Sequence, residues 1–270
     1  MKNNISEIVK TFKSYYENKE NNIILLHGDS ISLLSKFPSE SIDVVFADPP
    51  YFLSSGGITC HAGRMVSVNK AKWDESKNIN EIHEFNRKWL DEVKRILKED
   101  GALWISGTLH NIYSVGLALQ QLDYKILNDI IWYKRNAPPN LSTRYFTHST
   151  ETILWARKSQ KSKHYFNYSL MKEINKGKQM RNLWDITAPP KNEKKFGKHP
   201  TQKPLELLER VILASTEEGD LVLDPFVGSG TTCIVALRLR RKCIGIDIDK
   251  ESLNLAVKRI DDELKNQKLF

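Results

Sequence analysis

The sequence predicts an α/β fold: a mostly parallel sheet of seven strands, helices on both faces, and one antiparallel hairpin at an edge. Three observations predict it. Seven short apolar runs, NIILLHG, DVVFAD, ALWISG, KILNDIIWYK, ETILWAR, LVLDPF and CIGIDI, have the composition of buried strands. Segments with apolar residues every three or four positions fall between most of them, and such alternation implies parallel strands covered on both sides. KILNDIIWYK and ETILWAR are joined by a loop with no helical pattern, so these two are expected to pair antiparallel at one edge.

In chain order, the polar MKNNISEIVKTFKSYYENKE is a weakly amphipathic helix candidate, suited to a surface or a partner. NIILLHG follows and leads into Asp29, which fits a helix cap. DVVFAD stops at Pro49 and Pro50, because proline cannot donate to a sheet. Residues 52–77 are rich in Ser, Gly and polar side chains, and a loop of that length beside a candidate site is expected to be a mobile loop, either a lid or a disordered segment. INEIHEFNRKWLDEVKRILKED then predicts a long amphipathic helix with Gly101 as its C-cap. HNIYSVGLALQQLD, PLELLERVILAST, TTCIVALRLR and KESLNLAVKRIDDEL supply the remaining helices. No internal repeat or low-complexity tract is present.

With 270 residues and 40% hydrophobic content, the chain can bury a large core as one domain spanning 1–270. Its three cysteines, Cys60, Cys233 and Cys243, have no metal-ligand spacing, and a sparse odd count suggests reduced thiols in a cytoplasmic protein. No signal peptide or membrane-spanning run is expected. The net charge of +8 is unevenly placed. Residues 157–203 carry 13 Lys/Arg against 3 Asp/Glu, while the rest has 28 basic and 30 acidic residues. Such a segment is either a solvated lysine-rich insertion or a polyanion-binding surface. The interleaved Tyr165, Phe166, Tyr168 and Trp184 favour nucleic acid.

Two motifs carry chemistry. Asp48, Pro49, Pro50 and Tyr51 hold a carboxylate and a ring on a stiff turn at a strand's C-terminal end. DLVLDPFVGSGTTCIVA reads as strand, glycine turn and helix start, a place where backbone approaches a ligand and negative charge is favoured. The following strand ends in Asp247, 17 residues after Gly230, where an acid can hold ribose hydroxyls. The pattern indicates a nucleoside-containing cofactor. Cys233 stands where a dinucleotide fingerprint wants glycine, which disfavours NAD or FAD. Both motifs follow strands, so both are expected on the ligand-binding edge of the sheet.

DPPY at Asp48–Tyr51, DPFVGSGTT at Asp224–Thr232 and GKHPTQKP at Gly197–Pro204 resemble motifs of amino-group DNA methyltransferases that use S-adenosylmethionine (SAM). Their order resembles the permuted β group. ADPPYFLSSGG, SGTLHNIYSVG and RYFTHSTETILWARK are most similar to the second adenine methylases of GATC restriction–modification systems. The resemblance implies a Rossmann-like methyltransferase fold, with N6-adenine methylation in DNA as the activity. It implies a target-recognition segment at about 136–200, double-stranded DNA as substrate, and a homodimer; single-stranded DNA is expected as a substrate too, because unpaired adenine needs no unstacking. Asp48 and the Pro49 carbonyl would accept the two amino hydrogens of the target, and Tyr51 would stack on the flipped base. Asp224 would meet the methionine amino end, with Pro225, Phe226, Gly228, Ser229, Gly230, Thr231 and Thr232 around it. Asp247, beside Ile248, would hold the ribose. Asp29 and Ser30 would lie at the cofactor adenine, and Thr201 and Lys203 at its carboxylate. His199 reads as structural or DNA-facing, Trp132 and Trp155 as core, and Asn136, Asn140 and Arg144 as candidate base readers. Cytosine-N4 enzymes usually place Ser first in the turn, and RNA or protein-amide methylases commonly Asn. A non-catalytic nucleic-acid binder is disfavoured by the intact DPPY and GSG.

Overall fold

A computed structural model describes residues 5–52, 58–61, 64–67, 78–197 and 199–267. It contains α1 (Ile5–Val9), β1 (Tyr16–Asn18), β2 (Ile23–His27), α2 (Ser30–Leu34), β3 (Ile42–Ala47), β4 (Ile58–His61), β5 (Arg64–Ser67), α3 (Ile79–Ile96), β6 (Leu97–Gly107), α4 (Ile112–Gln121), β7 (Lys125–Tyr133) and β8 (Thr150–Arg157). After these come α5 (Tyr168–Ile174), β9 (Leu183–Asp185), α6 (Leu205–Ser215), β10 (Leu221–Asp224), α7 (Thr231–Arg238), β11 (Lys242–Asp247) and α8 (Lys250–Gln267). Of the mobile loop expected over 52–77, only Phe52 and the antiparallel β4–β5 pair fall within the described residues.

The main sheet has nine strands in the order β1-β2-β11-β10-β3-β6-β8-β7-β9. Strands β2, β11, β10, β3 and β6 are mutually parallel. The expected antiparallel pair is β7–β8, with β8 also antiparallel to β6. It is not the edge, because β9 adds parallel to β7 and β1 adds antiparallel to β2 at the other end. These two additions account for nine strands against the seven expected. Each is only three residues long and too polar to read as a strand. Each is held by side chains instead: Tyr16 donates from its hydroxyl to Asp261 at 2.7 Å, and Trp184 is buried.

Alternation along the strands sorts the core into two layers. Ile23, Leu25, Val44, Phe46 and Trp104 face α6, α7 and α8, while Ile24, Leu26, Val45, Ala47, Leu103 and Ile105 face α3 and α4. Trp132 and Trp155 lie in the first layer, as expected. The N-terminal segment departs from the surface helix expected of it. Ile5 and Ile8 are buried, and the chain turns into β1 because the Tyr15 and Tyr16 hydroxyls dock on α8. The helix before Gly101 ends earlier than expected, at Ile96, and Gly101 lies inside β6. Glycine is required there for close approach, since a Cβ would sit 2.9 Å from the Asp43 carbonyl oxygen.

The register places the site. Ala47 pairs with Ile105, Gly107 with Thr152, and Tyr133 with both Thr150 and Asp185. The end of β3, the start of β8 and the ends of β7, β10 and β11 therefore share one edge. The basic stretch is split by the same register, because Arg157 at the far end of β8 pairs with Lys125 on the opposite edge. Among the described residues, no helix is long and apolar enough to cross a membrane.

Candidate active site

A cleft opens at this edge, between the turn after β3 and the turn after β10. From the sequence-predicted set it is lined by Asp29, Ser30, Asp48, Pro49, Pro50, Tyr51, Thr201, Lys203, Asp224, Phe226, Gly228, Ser229, Thr231, Thr232, Asp247 and Ile248. Thus residues about 180 positions apart in sequence meet, because β3 and β10 are parallel neighbours. Pro225 and Gly230 do not line it. Ser30 donates to the Pro225 carbonyl at 2.5 Å, which fastens the start of α2 to the glycine turn.

The two glycines of that turn act differently. Gly228 has φ of 49° and faces the cleft, where a Cβ would crowd the His199 ring at 3.1 Å. Gly230, with φ of 78°, starts α7, and a Cβ there would meet that of Ala256 on α8 at 2.8 Å. Gly230 thus serves helix packing, not the ligand approach read from the sequence. Arg259 of α8 ties the turn down, donating to the Ser229 carbonyl at 2.7 Å.

The acids of the cleft are already partly engaged. Asp224 accepts from the Thr232 hydroxyl at 2.5 Å and from the Phe226 backbone N–H at 3.0 Å. Burial outweighs these bonds and pushes its pKa up to about 7. Asp247 accepts from the N–H groups of Gly228 and Asp249, each at 2.8 Å, yet burial lifts it to about 6. Asp29 does cap α2, accepting from Ser32 N–H at 2.9 Å, while it also lines the cleft. The cap and the cleft position therefore coexist. Burial lowers His199 to about 4, with Lys203 nearby adding to the effect, so it stays neutral near pH 7.

Around the DPPY turn the structure adds residues that motif reading did not supply. Asp48 accepts from the Tyr51 hydroxyl through Oδ1 and from Lys203 Nζ through Oδ2, each at 2.5 Å. Lys203 also lies 3.0 Å from the Tyr51 hydroxyl and 3.6 Å from Glu151 Oε2. Glu151 in turn pairs with Lys134 at 2.9 Å. The sequence placed Lys203 at the cofactor carboxylate, whereas its ammonium is spent on the acid of the turn. Burial raises Asp48 against the pull of Lys203. Burial opposes the charge on Lys203, but Asp48 and Glu151 together outweigh it and raise its pKa. Glu151, for its part, is lowered because Lys203 and Lys134 overcome its burial.

The turn is also held from behind. Asn111 stands at the start of α4, yet it makes no cap with its side chain and instead donates to the Pro50 carbonyl at 3.0 Å. Fully buried Asn86 donates to Asn111 Oδ1 at 2.6 Å. Asn111 falls within SGTLHNIYSVG, so its stretch was visible in the sequence although its role was not. Phe52 follows the turn with φ of 56°, an uncommon conformation for a bulky residue, and its ring meets Phe85 edge-on at 5.6 Å. Phe226 continues this aromatic wall against Trp89.

A parallel sheet with a glycine turn, two carboxylates and a proline-locked acid on one edge defines a Rossmann-like, nucleoside-cofactor methyltransferase fold. The chain belongs to the N6/N4 DNA methylase family, whose model matches residues 42–258. It is 60% identical over 252 residues to the Type II methyltransferase M2.DpnII of Streptococcus pneumoniae, covering 93% of each chain. It is 49% identical to M2.MboI of Moraxella bovis, covering 94% of each. Among solved structures, the M1.HpyAVI–SAM complex matches with a TM-score of 0.66 and 28% identity, over 88% of this chain and 99% of that one. The cytosine-N4-specific PvuII DNA methyltransferase matches with a TM-score of 0.72 at 24% identity, over 92% and 89%, a likeness of fold.

Proposed function

We propose that this DNA methylase transfers the methyl group of SAM to the N6 amine of adenine within GATC, as the modification enzyme of a restriction–modification system in the bacterial cytoplasm. The observation that carries the adenine reading is the DPPY turn itself: Asp48, not Ser, leads it and lies beside the cofactor cleft. The names of the Type II relatives support the restriction–modification context.

The cleft fits SAM by its donor set. Buried Gln202 lines it, and its Oε1 has no hydrogen-bond partner among the described residues. Two carboxylates are matched to an ammonium and a ribose diol: Asp224, which opens the glycine turn, and Asp247, which ends β11 and accepts from the Gly228 N–H. Bound SAM supplies an electrophilic methyl on a sulfonium. Asp48 and the Pro49 carbonyl accept the hydrogens of the target amine, which localises the nitrogen lone pair as the transition state requires. The Pro50 carbonyl is already taken by Asn111, which keeps the turn pointing one way. Each carboxylate oxygen of Asp48 has two acceptor sites, so the amine can bind while Tyr51 and Lys203 remain. Lys203 donates to Asp48 and favours its ionised form against the burial that raises its pKa. The proton is acidic once the nitrogen is alkylated and is lost to solvent, so no strong base is required.

On this reading residues 136–200 include the target-recognition surface, with the stretches next to β7, β8 and β9 at the catalytic edge. Single-stranded DNA is a substrate too, since its adenine needs no unstacking from a duplex, and a homodimer is the assembly that the resemblance implies. The test is to incubate protein, SAM and DNA, then identify the modified base by mass spectrometry and its position by sequencing. N6-methyladenine in GATC is expected; N4-methylcytosine refutes the role of Asp48.

A further inference from the structure

A second cavity lies on the α6 side of the main sheet, over β6, β8, β7 and β9 and beside α5. Among the described residues, none lines both it and the catalytic cleft. Asn128, Trp155, Trp104 and Phe46 are successive cross-strand partners; Phe46 belongs to the cleft wall and the other three line the cavity. Asn128 is thus three strand spacings, about 14 Å, from the cleft wall. The rings of the cavity run from core to surface. Trp104 stacks on Trp155 at 4.7 Å, Trp155 meets Phe166 at 5.2 Å, and Phe166 meets Tyr168 at 6.2 Å. Phe166 and Tyr168 are 40% and 45% exposed.

The backbone that carries these two rings is pinned. Between them, Asn167 donates its N–H to the Ala214 carbonyl at 2.8 Å, and its side chain caps α5 by accepting from Leu170 N–H at 3.2 Å. Buried Met171 anchors the turn that follows. A lone exposed ring is ordinary, but two adjoining rings fixed at a cavity form a ready stacking surface. Lys172 and Arg181 line the same cavity, and no acid does among the described residues. Neither cation is ion-paired among those residues, and the side-chain amides of Asn128 and Gln179, also in the lining, make no hydrogen bond with them. The volume, about 190 Å³, is below the ~300–1,000 Å³ of sites that enclose a whole drug-sized ligand. It suits a single ring system whose attached groups stay outside.

Resting on the reading of this DNA methylase as one that also accepts single strands, we propose that the cavity binds one nucleobase of an unpaired DNA strand, at a position other than the target adenine. The base packs on the Phe166 and Tyr168 rings, Asn128 and Gln179 offer their amides to its polar edge, and Lys172 and Arg181 take the flanking phosphates. A duplex keeps its bases paired and stacked, so the site selects the single strand. An aromatic side chain of a partner protein would fill the same space but leave both cations without an anion. The charge of residues 157–203, with 13 basic against 3 acidic residues, favours the polyanion.

The experiment titrates the full chain with a labelled oligothymidylate about 12 nucleotides long, which holds no adenine, and follows anisotropy. Phe166→Ala and Tyr168→Ala are each expected to weaken binding about tenfold or more, while Tyr168→Phe stays within about twofold. Lys172→Ala combined with Arg181→Ala should lower the log–log salt slope by about 1.4. SAM affinity by calorimetry, held at the wild-type value, shows that each variant is folded; if Phe166→Ala fails this control, Tyr168→Ala and the cation pair decide. An oligomer carrying one 5-iodouracil should photo-cross-link to Phe166 or Tyr168. Unchanged affinity in the folded alanine variants overturns the proposal, as does a cross-link confined to the catalytic cleft. Equal binding of a thymidine–adenine duplex overturns the choice of an unpaired strand, and equal affinity for free thymidine monophosphate overturns the strand itself. An acidic aromatic peptide that binds where the oligomer does not assigns the cavity to a protein partner and overturns the proposal too. Because the probe cannot be methylated at adenine, N6-methyladenine formed in GATC without these binding losses removes only the second site, whereas a wild-type protein that methylates no DNA removes the underlying reading.

Discussion

Asp224 gives the sharpest quantitative test. Its carboxyl is buried and pushed up to about 7, and Asp247 is lifted to about 6. If both must be ionised to hold SAM, part of the binding free energy goes to releasing two protons. At pH 6 the apo cleft is ionised at both sites only about one time in twenty, against about three in four at pH 7.5. Allowing for partial loss of the proton from an α-amino group near pH 7.5, SAM should bind about tenfold more weakly at pH 6 than at pH 7.5. Calorimetry in two buffers of different ionisation enthalpy should show release of about one to one and a half protons at pH 6. His199 does not blur this window, because it is already neutral.

Stability should move the other way. A carboxyl whose folded pKa lies above its unfolded one contributes stability that is fully present below about pH 4 and lost as pH rises through the folded value. For Asp224 the rise to about 7 corresponds to a cost of roughly 4 kcal/mol in the apo protein above neutrality, as an upper bound. Asp224→Asn keeps an acceptor for Phe226 N–H and removes the buried charge. It should raise the apo melting temperature at pH 7.5, weaken SAM binding, and abolish the tenfold pH effect. An Asp224→Asn protein that melts lower at pH 7.5, with wild-type SAM affinity and a wild-type pH slope, refutes the reasoning.

Other outcomes follow from the same site. Asp48→Ala should abolish methyl transfer while leaving the SAM dissociation constant within a few fold; a tenfold loss by calorimetry shows that Asp48 touches the cofactor. Tyr51→Phe keeps the stacking face, which the sequence alone takes as sufficient, but it removes a donor to Asp48. A hydrogen bond to a charged group is worth about 1.5–3 kcal/mol, so at least about tenfold should be lost from kcat, with the acid limb of the pH profile moved up. Full activity in Phe leaves the hydroxyl without a role. Glu151→Gln removes a negative neighbour that raises both Asp48 and Lys203, so both limbs should shift to lower pH; a lower rate with unmoved limbs makes Glu151 only a packing group. Neutralising Lys191 and Lys194 should reduce the log–log salt slope of DNA binding by about 2 if both contact phosphate. Lys195 is held 2.5 Å from Asp262 and should contribute less, while Lys198 lies outside the described residues.

The parallel strands were legible because burial on both faces leaves continuous apolar runs, and the two motifs were legible because proline and glycine punctuate them. The short strands β1 and β9 were not, since Tyr16–Asn18 and Leu183–Asp185 owe their place to the docked Tyr16 hydroxyl and the buried Trp184 ring, which lie far from local propensity. Gly101 shows the same limit: after a helical pattern it has the look of a terminator, yet what selects glycine is the Asp43 carbonyl of another strand. The deepest part of the site was hidden for a similar reason. Lys203 sits in a motif whose resemblance pointed to the cofactor, and Glu151 reads as one polar residue opening an apolar strand. Only the antiparallel entry of β8 at the catalytic edge brings Glu151 to Lys203.

That placement has a chemical consequence. In a buried site, a carboxylate with no cation takes up a proton, and a protonated acid presents a donor where the amine needs an acceptor. One lysine between two carboxylates would leave the cluster negative and raise Asp48 further. The second lysine, Lys134, restores the balance by pairing with Glu151. Four charges, one just after β3, one just after β7, one in β8 and one before α6, thus sum to zero around the DPPY turn. Lys203 opposes the burial that raises Asp48 and so favours its acceptor form, and the Lys203–Glu151–Lys134 chain behind it forms only when the antiparallel pair is docked on the parallel sheet.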